Sequence, residues 1–344
     1  MNSLRKTLPE LDALEQLLEG FPIGRVRTLA TVSHARQSLP IHAVLLGPED
    51  KNLPTLLFVG GVHGLERVGT QVLLSYLRTL KAGLTWDTVL RETLTRMRLL
   101  FVPLLNPAGM ALGLRSNARC VDLMRNAPVL AEQRSRWFEL YRGQRITPFL
   151  PWYQGKQGEA MEVESNALCE FVEQELFPSR CAIAVDVHSG FLAGDRIWFP
   201  YARSLQPFPH TPEIMALTRL LGETHEGHVY TIEPQSINYT THGDLWDHVY
   251  DLYRHSSAPG TLLPLTLELS SRLWYRKNPR QLMRLTGLFH PVKAHRLARV
   301  QRRHKTLFDF LTRAVVSHER WLPATDAHRS TLLREAQERW FNRF

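Results

Sequence analysis

Thr55-Leu-Leu-Phe-Val-Gly60-Gly61-Val-His63-Gly-Leu-Glu66 is the stretch on which the fold turns. Thr55 to Val59 is a short apolar run without polar alternation, cut off by two glycines. It describes a strand buried on both faces that runs directly into a loop. A helical pattern follows from about Arg67 to Lys81. The same punctuation returns elsewhere: Arg96 to Leu105 ends at Asn106-Pro107, Cys181 to Val187 ends at His188-Ser189-Gly190, and a last apolar run spans Leu262 to Leu269. Val26 to Thr31 and Ile41 to Leu46 also have strand composition. Helical periodicity covers Ser165 to Leu176 and Pro212 to His225, and Pro9, Leu11, Leu14, Leu17 and Leu18 predict a short amphipathic helix ending at Gly20. Strands alternating with helices in this way describe an α/β fold with a largely parallel sheet covered by helices.

Beyond these runs, 344 residues allow one large domain or two modest ones, and 44% hydrophobic with 22% charged residues is an ordinary globular balance. Disordered and fibrous classes are excluded. The net charge of +9 is unevenly placed, because residues 276–344 hold 16 Lys and Arg against 5 Asp and Glu while the preceding 275 residues stand near −2. The expected division is therefore a catalytic body, 1–275, with a basic helical extension, 276–344, and a boundary near Asn278-Pro279. Val292 to Val316 and Thr331 to Phe344 read as amphipathic basic helices, packed on the body with a solvated cationic face. No sequence-specific nucleic-acid motif is present, and no stretch has the length and apolarity of a membrane span. Cys120, Cys169 and Cys181 form an odd set without C-x-x-C spacing, and no secretory signal opens the chain, so a cytoplasmic location is expected. Neither a G-x-S-x-G elbow nor a phosphate-binding P-loop occurs.

Ligands of open α/β sheets bind beyond the carboxyl ends of the strands, which directs attention to the polar residues standing there. His63 and Glu66 follow the Thr55 strand, Asn106 follows the Arg96 strand, His188 follows the Cys181 strand, and Glu268 lies inside the last apolar run. Two histidines and a glutamate are one of the three-ligand sets of catalytic zinc, with a fourth position left for water. His63 and Glu66 are three residues apart and can reach one ion, with His188 as the distant third ligand. His210 and Glu213 share that spacing but sit in Pro207-Phe-Pro-His-Thr-Pro212 with no strand leading in. They are not expected to bind metal.

His63-Gly-Leu-Glu66, Asn106-Pro-Ala-Gly109, Leu114-Arg-Ser-Asn-Ala-Arg-Cys-Val-Asp-Leu-Met-Arg-Asn126, Asp186-Val-His-Ser189 and Leu267-Glu-Leu269 occur in the order and approximate spacing of the zinc carboxypeptidase family. The resemblance covers about Leu53 to Ser271. In look it is nearest to compact bacterial members such as the murein peptide amidases, and it is more distantly similar to the succinylglutamate desuccinylase and aspartoacylase branch. The resemblance implies a three-layer α/β sandwich with a mixed, mostly parallel sheet and helices on both faces. It also implies one zinc ion per chain on His63, Glu66 and His188, with Glu268 as general base. Arg115 would polarise the scissile carbonyl; Arg125 and Asn126 would hold the substrate carboxylate; and Tyr239, eight residues before Asp247 with Gly243 between them, would be the substrate lid. Glu164 matches a structural carboxylate, and Trp246 is either a wall of the specificity pocket or a core residue.

Two departures bear on activity. Met124 replaces an asparagine that would share the terminal carboxylate, and Cys120 replaces a glycine. The implied function is zinc-dependent hydrolysis of an amide bond, by a metallocarboxypeptidase or peptide amidase acting on a peptide. The alternatives are an N-acyl amino acid hydrolase and an inactive member that binds a peptide or anion.

Overall fold

The computed structural model describes residues 4–21, 24–132, 140–272, 274, 288–291 and 293–342. In chain order its helices and strands are α1 (Pro9–Leu18), β1 (Arg25–His34), β2 (Gln37–Leu46), β3 (Thr55–Gly60), α2 (Arg67–Gly83), α3 (Thr88–Arg96), β4 (Arg98–Val102), α4 (Pro107–Leu112), α5 (Val163–Leu176), β5 (Cys181–Gly190), β6 (Arg196–Phe199), α6 (Thr211–Thr224), β7 (Thr231–Pro234), α7 (Leu245–His255), β8 (Thr261–Ser270), α8 (Ala294–Val316) and α9 (Asp326–Ala336).

The strands form one sheet in the order β1-β2-β4-β3-β5-β8-β6-β7. β4, β3, β5 and β8 are parallel neighbours at its centre, while β1, β2 and β4 pair antiparallel on one side and β8 pairs antiparallel with β6 on the other. This is the mixed α/β sheet expected from the apolar runs. Every residue of β3 and β4 is buried, which is why neither shows polar alternation. Arg98 is the exception in chemistry, a fully buried guanidinium on β4 that donates to the Glu175 carboxylate and to its backbone carbonyl. The pairing removes the cost of leaving that charge alone in the core.

β6 and β7, four residues each, were absent from the sequence expectation, because Arg196-Ile-Trp-Phe199 and Thr231-Ile-Glu-Pro234 are too short to establish a period. The strand expected over Arg96 to Leu105 shrinks to β4, with Arg96 ending α3. The expected boundary near Asn278-Pro279 lies outside the described residues, as do Val292 and the last two residues of the final basic helix.

α2 and α8 pack together over β3 and β5, while α5 and α7 contact each other and reach β1 and β8. α8 is more than a solvated appendage. Val300, Leu307, Phe308, Phe310 and Leu311 are buried in the same hydrophobic core as the sheet, and the Phe308 ring lies 4.4 Å from that of Phe58 on β3. α9 packs on α6, and Trp340 just beyond it donates its indole N–H to the Ile232 carbonyl of edge strand β7. No helix among the described residues is long and apolar enough to cross a membrane.

Candidate metal centre

β3 and β5 are parallel neighbours in register Gly60 with Val187, so the segments following them leave the sheet side by side. That register brings His63, Glu66 and His188 together across 125 residues of chain. Gly64 permits a tight approach, since a Cβ there would stand 2.2 Å from the Gly109 carbonyl carbon. The Asn106 side chain holds this corner by donating to the Val62 and Ser116 carbonyls and accepting from the Gly109 N–H at the start of α4.

Within the cluster, His63 Nδ1 lies 2.9 Å from Glu66 Oε1, and His188 Nδ1 lies 3.1 Å from Glu66 Oε2 and 3.2 Å from His63 Nδ1. All three side chains are buried, and one ligand atom from each falls within 4.8 Å of the others. The Ser189 N–H donates to Glu66 Oε2 at 2.8 Å, fixing the carboxylate. Behind each imidazole stands a buried aspartate: Asp122 Oδ1 is 3.1 Å from His63 Nε2, and Asp186 Oδ2 is 2.8 Å from His188 Nε2, the latter off the N–H axis and better described as an ion pair. Trp246 donates its indole N–H to Asp186 Oδ2 at 2.9 Å, so this buried tryptophan supports the aspartate that orients His188.

Burial alone would raise Glu66, but His63 and His188 outweigh it and hold the carboxyl far below the usual range. Burial likewise opposes ionisation of Asp122, and Arg115 and His63 overcome it. For His188 burial favours the neutral ring, yet Asp186 and Glu66 push its affinity for a proton well above normal. Two imidazole nitrogens 3.2 Å apart beside one carboxylate suit a shared cation, and aspartates on the far ring nitrogens are the usual way of orienting metal-binding histidines. The donor set therefore fits zinc.

Glu268 pairs in register with His188 from β8, partly open at the surface though deeply set among protein atoms. Burial, reinforced by Glu66 and opposed by His188, pushes its carboxyl up to about 7. A divalent cation on the cluster would pull it down again. Arg115 donates from Nε to Asp122 Oδ2 at 2.9 Å and from Nη1 to Glu66 Oε1 at 3.3 Å, with about a quarter of its side chain exposed.

Arg125 ends the short 3-10 turn Leu123–Arg125, which Asp122 caps by accepting from the Met124 N–H. Its buried guanidinium donates from Nη1 to the Met124 carbonyl, while Nε has no partner among the described residues. Gly243, at φ 70°, lies so close that a Cβ would stand 1.8 Å from the Arg125 carbonyl oxygen. Tyr239 is half-buried against Tyr141 and Trp198, ring centroids 5.5 and 6.5 Å away. Burial raises its phenol against the pull of Arg125 and Arg115, and Glu268 adds to the rise. Asn126, expected at the substrate carboxylate, donates from its amide to the Gln154 carbonyl and accepts from the Glu162 N–H. Glu164 is buried at the start of α5 beside Asn117.

His210 and Glu213 do not meet at a metal site. His210 Nδ1 lies 3.2 Å from the Leu262 carbonyl and 3.0 Å from the Tyr250 hydroxyl, and Glu213 pairs with Arg329. Asp122 and Asp186 are the residues to which the sequence reading gave no role, although both stood in quoted motifs. Asp122 directly follows the Asn117–Val121 turn and Asp186 stands two residues before His188, positions that mean nothing until the fold turns each carboxylate towards an imidazole.

A model of the zinc carboxypeptidase family matches residues 15–277. Carboxypeptidase SOL1 of Arabidopsis thaliana is 25% identical over 122 residues, 34% of this chain, and the match spans a quarter of that relative's length. Among solved structures, bovine thrombin-activatable fibrinolysis inhibitor in complex with tick carboxypeptidase inhibitor superposes with a TM-score of 0.61 at 16% identity, covering 97% of this chain and 98% of that one. Carboxypeptidase A from Helicoverpa armigera gives 0.53 at 16% identity, over 75% and 62% of the two chains.

Proposed function

Since the chain belongs to the zinc carboxypeptidase family, we propose that it hydrolyses amide bonds as a metallocarboxypeptidase or peptide amidase, with one zinc ion per chain on His63, Glu66 and His188. The observation that carries this reading is the convergence of both Nδ1 atoms on the two oxygens of Glu66, with an aspartate behind each ring. When bound, zinc supplies a Lewis acid that polarises the scissile carbonyl and acidifies a water molecule. Glu268 takes the proton of the attacking water and passes it to the leaving amine nitrogen, a task its place in register with His188 on the neighbouring strand allows. Arg115, held by Asp122 and Glu66, stabilises negative charge on the carbonyl oxygen. Arg125 pairs with a substrate carboxylate through its planar guanidinium fork. Tyr239 covers the bound substrate.

Met124 is buried and offers no amide, so the carboxylate rests on Arg125 with less help than the family pattern provides. That observation keeps N-acyl amino acids beside C-terminal peptides as substrates to screen. Cys120, Cys169 and Cys181 remain free thiols, which supports a reducing compartment such as the cytoplasm.

The purified chain is expected to contain about one zinc per molecule by elemental analysis, in keeping with a single three-ligand site. His63→Ala should lose the metal, whereas Glu268→Gln should retain it and lose at least about a hundredfold in turnover. Undiminished activity in Glu268→Gln would remove it from the base role, and a wild-type chain that takes up no zinc from excess would sink the hydrolase reading.

A further inference from the structure

A cavity of about 930 Å³ opens between the N-terminal half of α8 and the end of β8. The buried side chains of Leu269, Trp274 and Val300 stand behind it, and its rim is cationic, with Arg296, Arg299, Arg302 and Arg303 on one helix. Arg296, Arg299 and Arg302 recur every three residues, about 4.5 Å apart along the helix axis, and all border the cavity. Arg296 donates to the Trp274 carbonyl, and Arg303 stands 3.3 Å from Asp195. Arg299 and Arg302 are exposed and have neither an ion pair nor a hydrogen bond among the described residues. Asp195 is the one carboxylate among the described lining residues, and it is already engaged, accepting from the Ser270 N–H at 2.9 Å. Ser270 lies two residues beyond Glu268 on the same strand.

We propose that this cavity is a docking groove for an acidic peptide segment, whose carboxylates pair with Arg299 and Arg302 along its rim. Charge complementarity selects an anion, since four guanidinia face a single carboxylate. The remaining features select a peptide among anions. A single-stranded nucleic acid would need an exposed ring on which to stack its bases, but Trp274 is only 6% exposed. A membrane surface would need a free apolar helix face, whereas the apolar face of α8 is spent on the core. Leu269 and Ser270 on its wall directly follow Glu268, which places the groove at the end of the strand that carries the candidate catalytic carboxylate. That this peptide is the substrate rests on the hydrolase reading; that it binds does not.

The test uses the full chain stripped of metal and a fluorescein-labelled hexaglutamate, followed by anisotropy at low salt and at physiological salt. Saturable binding is expected, weakening as salt screens the pairs. Arg299→Glu/Arg302→Glu should bind at least about tenfold more weakly with an unchanged melting temperature, because neither side chain has a partner to lose among the described residues. With zinc restored, the double variant should show a raised KM for a peptide with an acidic tail and an unchanged KM for a neutral one. Absence of hexaglutamate binding, equal binding by the variant, or binding only of a hexanucleotide or of phosphatidylserine vesicles would overturn the groove. Binding without hydrolysis of the acidic-tailed peptide, or equal KM values, would leave the groove standing and detach it from the substrate.

Discussion

Cys120 shows how one side chain can depart from a pattern while its backbone keeps it. The residue sits at φ 65°, in the left-handed region, with the turn closed by the Asn117 side chain accepting from the N–H groups of Arg119 and Val121. A glycine-type conformation is retained by a residue that pays for its Cβ there. Cys120→Gly is expected to stabilise the chain by about 0.5–1 kcal/mol, the steric relief less the added entropy of the unfolded state. Urea unfolding checks it, and an unchanged or lower midpoint would mean that the thiol's packing outweighs the strain. The ligand triad was legible because its residue types stand at strand ends. Asn126 carries a second task that no local pattern announces: its amide ties the backbone at residues 154 and 162 beside the expected substrate arginine.

Segments were legible in proportion to their burial and length. β3, β5 and β8 declare themselves as apolar runs, whereas the β1–β2 hairpin turns at Ala35-Arg36 with φ 47° and 62°, a geometry that Asn-Gly would have announced and these residues conceal. The loop before α7 is the segment with least tolerance. Its Gly243 accepts from the Ala127 N–H and donates to the Val129 carbonyl, pinning the Arg125 backbone beneath it. Gly243→Ala should displace Arg125 and raise KM for carboxylate-bearing substrates by about tenfold or more while zinc stays bound, as steady-state kinetics beside metal analysis would reveal. An unchanged KM would show that the loop yields without moving Arg125. α8 was read correctly as an amphipathic basic helix, but its apolar stripe is part of the main core. Phe308→Ala should accordingly cost about 3–5 kcal/mol, the range for a buried aromatic, and a loss under 1 kcal/mol in denaturant unfolding would place α8 outside the cooperative unit.

Across the assembled chain, the metal centre joins β3, β5 and the 117–126 segment, so a bound ion ties distant parts of the sheet together. Binding to the folded state alone stabilises by about 2.7 kcal/mol when free ligand exceeds Kd a hundredfold. Chelation is expected to lower the melting temperature by several degrees and added zinc to restore it, with His63→Ala melting low and unresponsive; a wild-type melt indifferent to both would argue against a structural tie through the cluster. Periodicity, apolar runs and the residues at their ends were enough to establish an α/β sheet, its central strands and the His-Glu-His set, because burial and strand termini write themselves into local composition. The folded chain alone decided that Asp122 and Asp186 stand behind the two imidazoles, that Trp246 supports one of them, that the Asn126 amide ties backbone at residues 154 and 162, and that a basic helix belongs to the core with its arginines around a cavity. Those facts depend on contacts between residues tens to hundreds of positions apart, and no local pattern carries the direction in which a side chain will point once the sheet has closed around it.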